Sequence, residues 1–378
     1  MQIDASDIKL KERFDALLLS TELANKLVGK RLPGEVTYEE SEQGDARRRL
    51  LYVEKLAIKQ KVSDAKAHAA EVEKVSNAFH SKVFKELDKD LDNGFKLFHN
   101  VVNLHEDIIA LLDMLSTKAC SVSRLEPLLA TSPWLQDDLL KLVNSAEHRR
   151  VDARGKVIIV ETVRTALSYL GVENLRKIMP FLVLKHGIPQ VTDPYPQIKH
   201  RISDYFLAVA NASAALATSR NQPVFQAYLL GLLSGLGLSA VWRQFFRIYE
   251  KMHREAIGGA LERRDQRTYN ALQLIQPSPV YLSEFRQALE RRTTQRILEF
   301  MVFKRFTILD TWTDDALPEA KTLASAQAYA ELKLLTRFRL VEKDEARVAL
   351  RALDITRHEL EHLNDSEMFT LQIKKFSG

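Results

Sequence analysis

NQPVFQAYLLGLLSGLGLSAVW, residues 221–242, contains no charged side chain, and what this run becomes decides the fold. About 20 apolar residues are enough to span a bilayer. Three glycines (Gly231, Gly235, Gly237) and two serines (Ser234, Ser239) dilute the apolarity here, and no second segment of this kind exists in the chain. A helix buried on all sides of a protein core satisfies the same pattern, and that is the expectation: no membrane span.

The flanks read as helices joined by brief turns. Before the run come KLFHNVVNLHEDIIALLDMLS, SRLEPLLATSPWLQDDLLKLVNS, VIIVETVRTALSYLG and VENLRKIMPFLVLKHG, then a Pro-rich loop (HGIPQVTDPYPQIKH) and a helix over 201–220. Ser121 or Ser123, and Ser132 with Pro133 just inside, fit N-cap positions. Gly171 fits the left-handed residue that closes a helix. Beyond Pro277 and Pro279 the periodicity resumes in SEFRQALERRTTQRILEFMVFKRF, breaks near DTWTDDALPEA and returns in two C-terminal stretches. Towards the N-terminus, residues 7–27 predict an amphipathic helix with Leu10, Phe14, Leu17, Leu18 and Leu27 on one face. Residues 31–45 predict a loop. Residues 46–87 predict a long helix, a candidate homodimer arm or a helix packed along its own domain. KVIIVETV is the only β-like run, and it fits equally well as the start of a buried helix. The fold class is therefore all-α, with an N-terminal helical region (1–92), a multi-helix core (93–293) and a C-terminal helical extension (294–378).

Composition agrees. The 13 Gly and 11 Pro among 378 residues are few and favour long helices. A lone cysteine, Cys120, excludes an internal disulfide. The first residues lack the basic head and apolar stretch of a signal peptide, so a cytoplasmic location is expected. A net charge of +5, from 55 basic and 50 acidic residues, is too small over this length to imply nucleic-acid binding.

DDLLKLVNSAEHRR followed by VETVRTALSYLGVENLRKIMPFLVL resembles the first half of an HDOD domain, the output module related to the HD hydrolases. The matching residues are Leu139, Leu140, Leu142, Val143, Asn144, Ser145 and Ala146, then Val163, Ala166, Leu170, Gly171, Leu175 and Ile178. The likeness continues through FLAVANASAALA and AYLLGLLSGLGLSAVW, where the family has a GLLHDIG-like motif, and covers about residues 95–292. It implies an HD-like helical core. HD phosphohydrolases hold a divalent cation through histidines and a His-Asp dipeptide, which suit such metals. The dipeptide positions here are Ser234 and Gly235, and an upstream histidine position is Tyr205, so the resemblance implies a degenerate site and no resident cofactor. His200, Asp204 and His253 are the side chains from which a shifted metal site would be built.

RHELEHL places His358, Glu359 and His362 in the H-E-x-x-H spacing of zinc proteases. A metzincin would need Gly at Asp365 and His at Met368, so a charged helix face is expected instead. GKRLPGE around Lys30 lacks the second half of a phosphate loop. Cys120 has no identifiable catalytic partner and reads as a small core or surface residue.

Three functional readings follow. The first is a non-catalytic regulatory module that binds a protein partner or a small signalling ligand, with Asn144 and Ser145 as polar residues that either lock the fold or face a cleft. The second is a residual metal-dependent phosphohydrolase using His200, Asp204 and His253. The third is nucleic-acid binding through Arg243, Arg247, Lys251 and Arg254, continued by Arg263, Arg264 and Arg267 and aided by Phe245, Phe246 and Tyr249. A solvated helix side with the aromatics turned inward is the simpler expectation for that stretch.

Overall fold

The computed structural model describes residues 5–30, 52–151 and 156–373. It is an all-helical assembly apart from a two-residue hairpin, in which Arg150–Val151 pairs antiparallel with Val157–Ile158. In chain order the elements are α1 (Ala5–Leu19), α2 (Thr21–Leu27), α3 (Tyr52–Asp90), a helical turn over Gly94–Val101, α4 (Glu106–Leu115), α5 (Val122–Ala130), α6 (Pro133–Val143), the hairpin, α7 (Val163–Gly187), α8 (Ile198–Ser219), α9 (Val224–Leu233), α10 (Leu236–Glu262), α11 (Gln266–Leu274), α12 (Pro279–Glu299), α13 (Leu309–Thr313), α14 (Pro318–Arg337), α15 (Lys343–Ala352) and α16 (Arg357–Asp365).

The uncharged run forms α9 and the first turns of α10, separated by a turn at Ser234–Gly235. It is the one helical stretch among the described residues apolar and long enough to cross a membrane, and 78% of its most apolar window is buried inside the protein. Those side chains are spent on the core, as expected for a helix with apolar residues on every side. α8 packs against α9 on one side and α14 on the other, while α10 packs along α12. The contacts are close because the residues are small: a Cβ added to Gly231 would lie 2.7 Å from Ala210 Cα.

One hydrophobic cluster runs through all three sequence regions. It contains Phe14, Leu17 and Leu18 from α1, Phe79, Val83 and Leu87 from α3, the interior of α7 to α12, and Tyr329, Leu334 and Leu363 from the C-terminal helices. Burying each such side chain contributes about 2 kcal/mol.

Several local expectations need correcting. The predicted helix over 7–27 breaks at Ser20, whose Oγ accepts from Glu22 N at 3.2 Å and starts α2. That break rotates Leu27 out of the core face, where it is 55% exposed. The loop predicted at 31–45, including most of the GKRLPGE motif, and the start of the predicted long helix at 46–51 lie outside the described residues. α3 packs its C-terminal half against α10, α11 and α12. Ser121 and Ser132 do stand at N-cap positions, but neither side chain makes the capping hydrogen bond. The KVIIV run is a hairpin strand and not a buried helix start; Val157, Ile158 and Ile159 are all exposed. The helix after Pro279 ends at Glu299, short of its predicted end, and residues 300–308 form a connection. Gly171 has the positive φ expected of it, but at φ 70° and ψ 160° it lies outside the left-handed helical region and kinks α7 between Leu170 and Val172 instead of closing a helix, in a region that essentially only glycine occupies.

Candidate functional site

Tyr205, Ser234 and Gly235, which the resemblance sets against the ligand positions of the HD hydrolases, are built into the packing here. Ser234 is buried, and its Oγ donates to Gly231 O at 2.8 Å, closing the end of α9. Gly235 stands where a Cβ would meet the Phe206 ring at 2.5 Å, so the backbone and that ring share the space a side chain would need. Tyr205 is also buried, with its ring edge-on to Phe14 at 4.8 Å, and its Oη donates to Glu331 Oε1 at 3.1 Å. Burial, with Glu331 and Glu290 nearby, pushes the Tyr205 phenol well above its ordinary value, so it stays protonated and donates. None of the three offers an imidazole or carboxylate, and the site does not fit a divalent cation.

The three substitutes do not gather into one site, although His200 and Asp204 are neighbours on α8 and the His200 charge acts on the Asp204 carboxyl. His200 is exposed on the first turn of α8. Asp204, on the same helix, faces Arg337 at 3.5 Å; burial raises its carboxyl, against the pull of Arg337 and Arg201. His253 is far along α10, its Nε2 2.7 Å from Leu272 O and its ring stacked on Tyr249. Among the described residues, no group of three or more His, Cys, Asp or Glu is placed to hold a metal ion.

Asn144 locks a turn. Its Nδ2 donates to Val160 O at 2.9 Å and its Oδ1 accepts from Val160 N at 2.9 Å, so one amide side chain satisfies both backbone groups of a residue beyond the hairpin. Ser145 Oγ is buried with no hydrogen-bond partner among the described residues.

Of the four basic side chains expected along one side of α10, three are exposed and one turns inward, and the aromatics face the core. Arg243 turns inward, donating to Val101 O at 2.5 Å, His186 O at 2.8 Å and Ile188 O at 3.2 Å, where it satisfies carbonyls at the C-terminal end of α7. Arg247, Lys251 and Arg254 are exposed, and Arg254 and Lys251 lie 3.4 Å and 4.0 Å from Glu250 and Glu255. Phe245, Phe246 and Tyr249 are core residues. The C-terminal histidine pattern also separates by role: His358 and His362 are exposed, while Glu359 is buried. Glu359 closes a capping box with Thr356 and accepts from Arg220 Nε at 2.7 Å. The pattern T-x-x-E at 356–359 signals that box in the sequence.

Burial alone would raise the Glu359 carboxyl, but the bonds from Arg220 and Thr356 outweigh it and hold it below its usual value. A carboxylate with a depressed folded pKa stabilises the fold above its unfolded pKa and loses that contribution as pH falls through the folded one. Glu359→Gln is therefore expected to cost about 2 kcal/mol at neutral pH. The gap to the unsubstituted protein should narrow in acid, as read by urea unfolding at both pH values.

Sequence reading missed a cleft of about 600 Å³ beside Tyr205, lined from four directions by Lys11 of α1, Arg286 and Glu290 of α12, Trp312 of α13 and Glu331 of α14, among others. Arg286 pairs with Asp15, which is only 4% exposed, and its Nε donates to Glu290 at 2.9 Å. Burial pushes the half-buried Glu331 carboxyl up, although Arg286, Tyr205 and Lys11 each pull it down. The one signal for Glu331 was a lone acid beside the apolar stripe Leu323, Ala326, Ala330 and Leu334.

The family model of the HDOD domain matches residues 102–271. No curated protein matches the chain. A solved structure from Shewanella amazonensis SB2B, named as a candidate metal-dependent phosphohydrolase, is similar at 11% identity and a TM-score of 0.41, covering 77% of this chain and 95% of that one. A likeness of that strength says nothing about activity. Together with the kinked α7, the α8–α9 pair and the turn at Ser234–Gly235, the family match leads to one assignment: the chain carries an HDOD domain over residues 102–271.

Proposed function

We propose that the protein is a non-catalytic regulatory module of the cytoplasm, acting by binding a protein partner or a small signalling ligand. The observation that carries this reading is the state of the three ligand positions. Tyr205, Ser234 and Gly235 are each committed to packing or to internal hydrogen bonds. A hydrolase of the HD kind works by activating a metal-bound water, and Tyr205, Ser234 and Gly235 supply neither an imidazole nor a carboxylate towards one.

The test is elemental analysis of protein purified without chelator, joined to assays with added manganese against phosphodiester, phosphomonoester and cyclic dinucleotide substrates. Substoichiometric metal with no turnover is the expected result. A stoichiometric transition metal that is lost, together with turnover, in His200→Ala or His253→Ala would overturn the reading.

A further inference from the structure

The cleft beside Tyr205 belongs to no known site of this chain, and its lining is chemically lopsided. Its volume of about 600 Å³ falls within the range of small-molecule pockets. The cations are largely engaged already. Arg286 is held between Asp15 and Glu290, and Arg291 reaches Asp315 at 2.7 Å. The carboxylates are less fully used. Glu331 has one hydrogen-bond partner among the described residues, the Tyr205 hydroxyl at 3.1 Å, and Glu12 lies exposed at the rim. A carboxylate accepts on two oxygens and about four lone-pair sites, so Glu331 retains acceptor capacity towards the cleft. Trp312 adds partly exposed aromatic surface to the wall, with the Arg291 guanidinium 5.8 Å from its ring centre, while Phe14 and Tyr205 are buried behind the lining.

From this lining we infer that the cleft binds a small organic ammonium, with Glu331 accepting from the ammonium and the Trp312 ring covering its alkyl part. The inference rests on the non-catalytic reading above, because it assigns to a binding role the space beside the vestigial metal site. Lys11 is the competitor: its charge already acts on Glu331, and an incoming ammonium displaces it. An anion would meet Glu331 and Glu290, while Lys11 is the one lining cation without an ion pair among the described residues, so phosphate chemistry is disfavoured.

Isothermal titration of the full chain with putrescine, spermidine and butylamine, and with inorganic phosphate as the opposing probe, tests this. Saturable amine binding is expected, with no phosphate binding. Glu331→Gln keeps an acceptor for the Tyr205 hydroxyl and removes the charge; it is expected to weaken the amine by about tenfold or more, at an unchanged thermal midpoint. Lys11→Ala removes the competitor and is expected to tighten binding. Equal affinities in the unsubstituted protein and both variants, absence of amine binding, or binding of phosphate instead would each overturn the assignment. Those failures concern the ligand alone; stoichiometric metal with turnover in the assays above would instead overturn the non-catalytic reading.

Discussion

Gly235→Asp, which would return a carboxylate to the position of the hydrolase dipeptide, is expected to unfold the protein and not to restore a metal site. Two costs add. The new Cβ would lie 2.5 Å from Phe206 Cδ2 and 2.6 Å from its Cγ, and Phe206 is fully buried in the central core. Overpacking of this kind costs about 1–3 kcal/mol. The carboxylate then enters an interior with no charged partner arranged for it, at a further cost of several kcal/mol. A total of about 5 kcal/mol is comparable to the whole stability of many domains. Gly235→Ala separates the terms, because it keeps the steric part and omits the charge; it should lower the urea midpoint by the smaller amount alone. Gly235→Asp that remains as stable as the unsubstituted protein and takes up manganese would show that the site is rebuildable after all.

How much of this was legible in the sequence depends on how local the cause is. The all-helical class, the buried run at 221–242 and the kink at Gly171 follow from periodicity, missing charge and a residue type that tolerates positive φ, all read within a few turns of chain. That Tyr205, Ser234 and Gly235 offer no imidazole or carboxylate was equally local, since it concerns which side chains are present. Placement across the fold was not. Arg243 shares a helical stripe with Arg247, Lys251 and Arg254, yet the end of α7 needs donors for its carbonyls, and only the tertiary arrangement shows that Arg243 supplies them. The cleft joins Lys11, Tyr205, Arg286 and Glu331, which span 320 positions of sequence, and no spacing rule links residues that far apart. Glu359 lies between these cases: its capping box is a four-residue pattern, but its pairing with Arg220 is a long-range contact.

Arg286→Ala should give the largest loss outside the glycine turns, because it strips the partner from a buried charge that fixes α1 to the core. Arg286 bridges Asp15 of α1 and Glu290 of its own helix, and its guanidinium carbon stands 5.3 Å over the Phe14 ring. Gln287 Nε2, 3.0 Å from the other Asp15 oxygen, remains after the substitution but carries no charge. Removing one member of a buried pair costs about 3–5 kcal/mol, mostly the penalty of the abandoned charge and not the worth of the pair. That distinction can be measured. If the abandoned carboxylate is the cause, Asp15→Asn in the Arg286→Ala background should recover much of the loss, since a neutral amide accepts from Gln287 without needing a counter-charge. If the Arg286 stem packed on Phe14 is the cause, the double variant should stay as unstable as the single one. Recovery is the expected outcome in chemical denaturation. It would mean that α1 is anchored over the cleft by charge compensation as well as by Phe14, Leu17 and Leu18, so the wall carrying Lys11 owes its position to a pair one helical turn away from it.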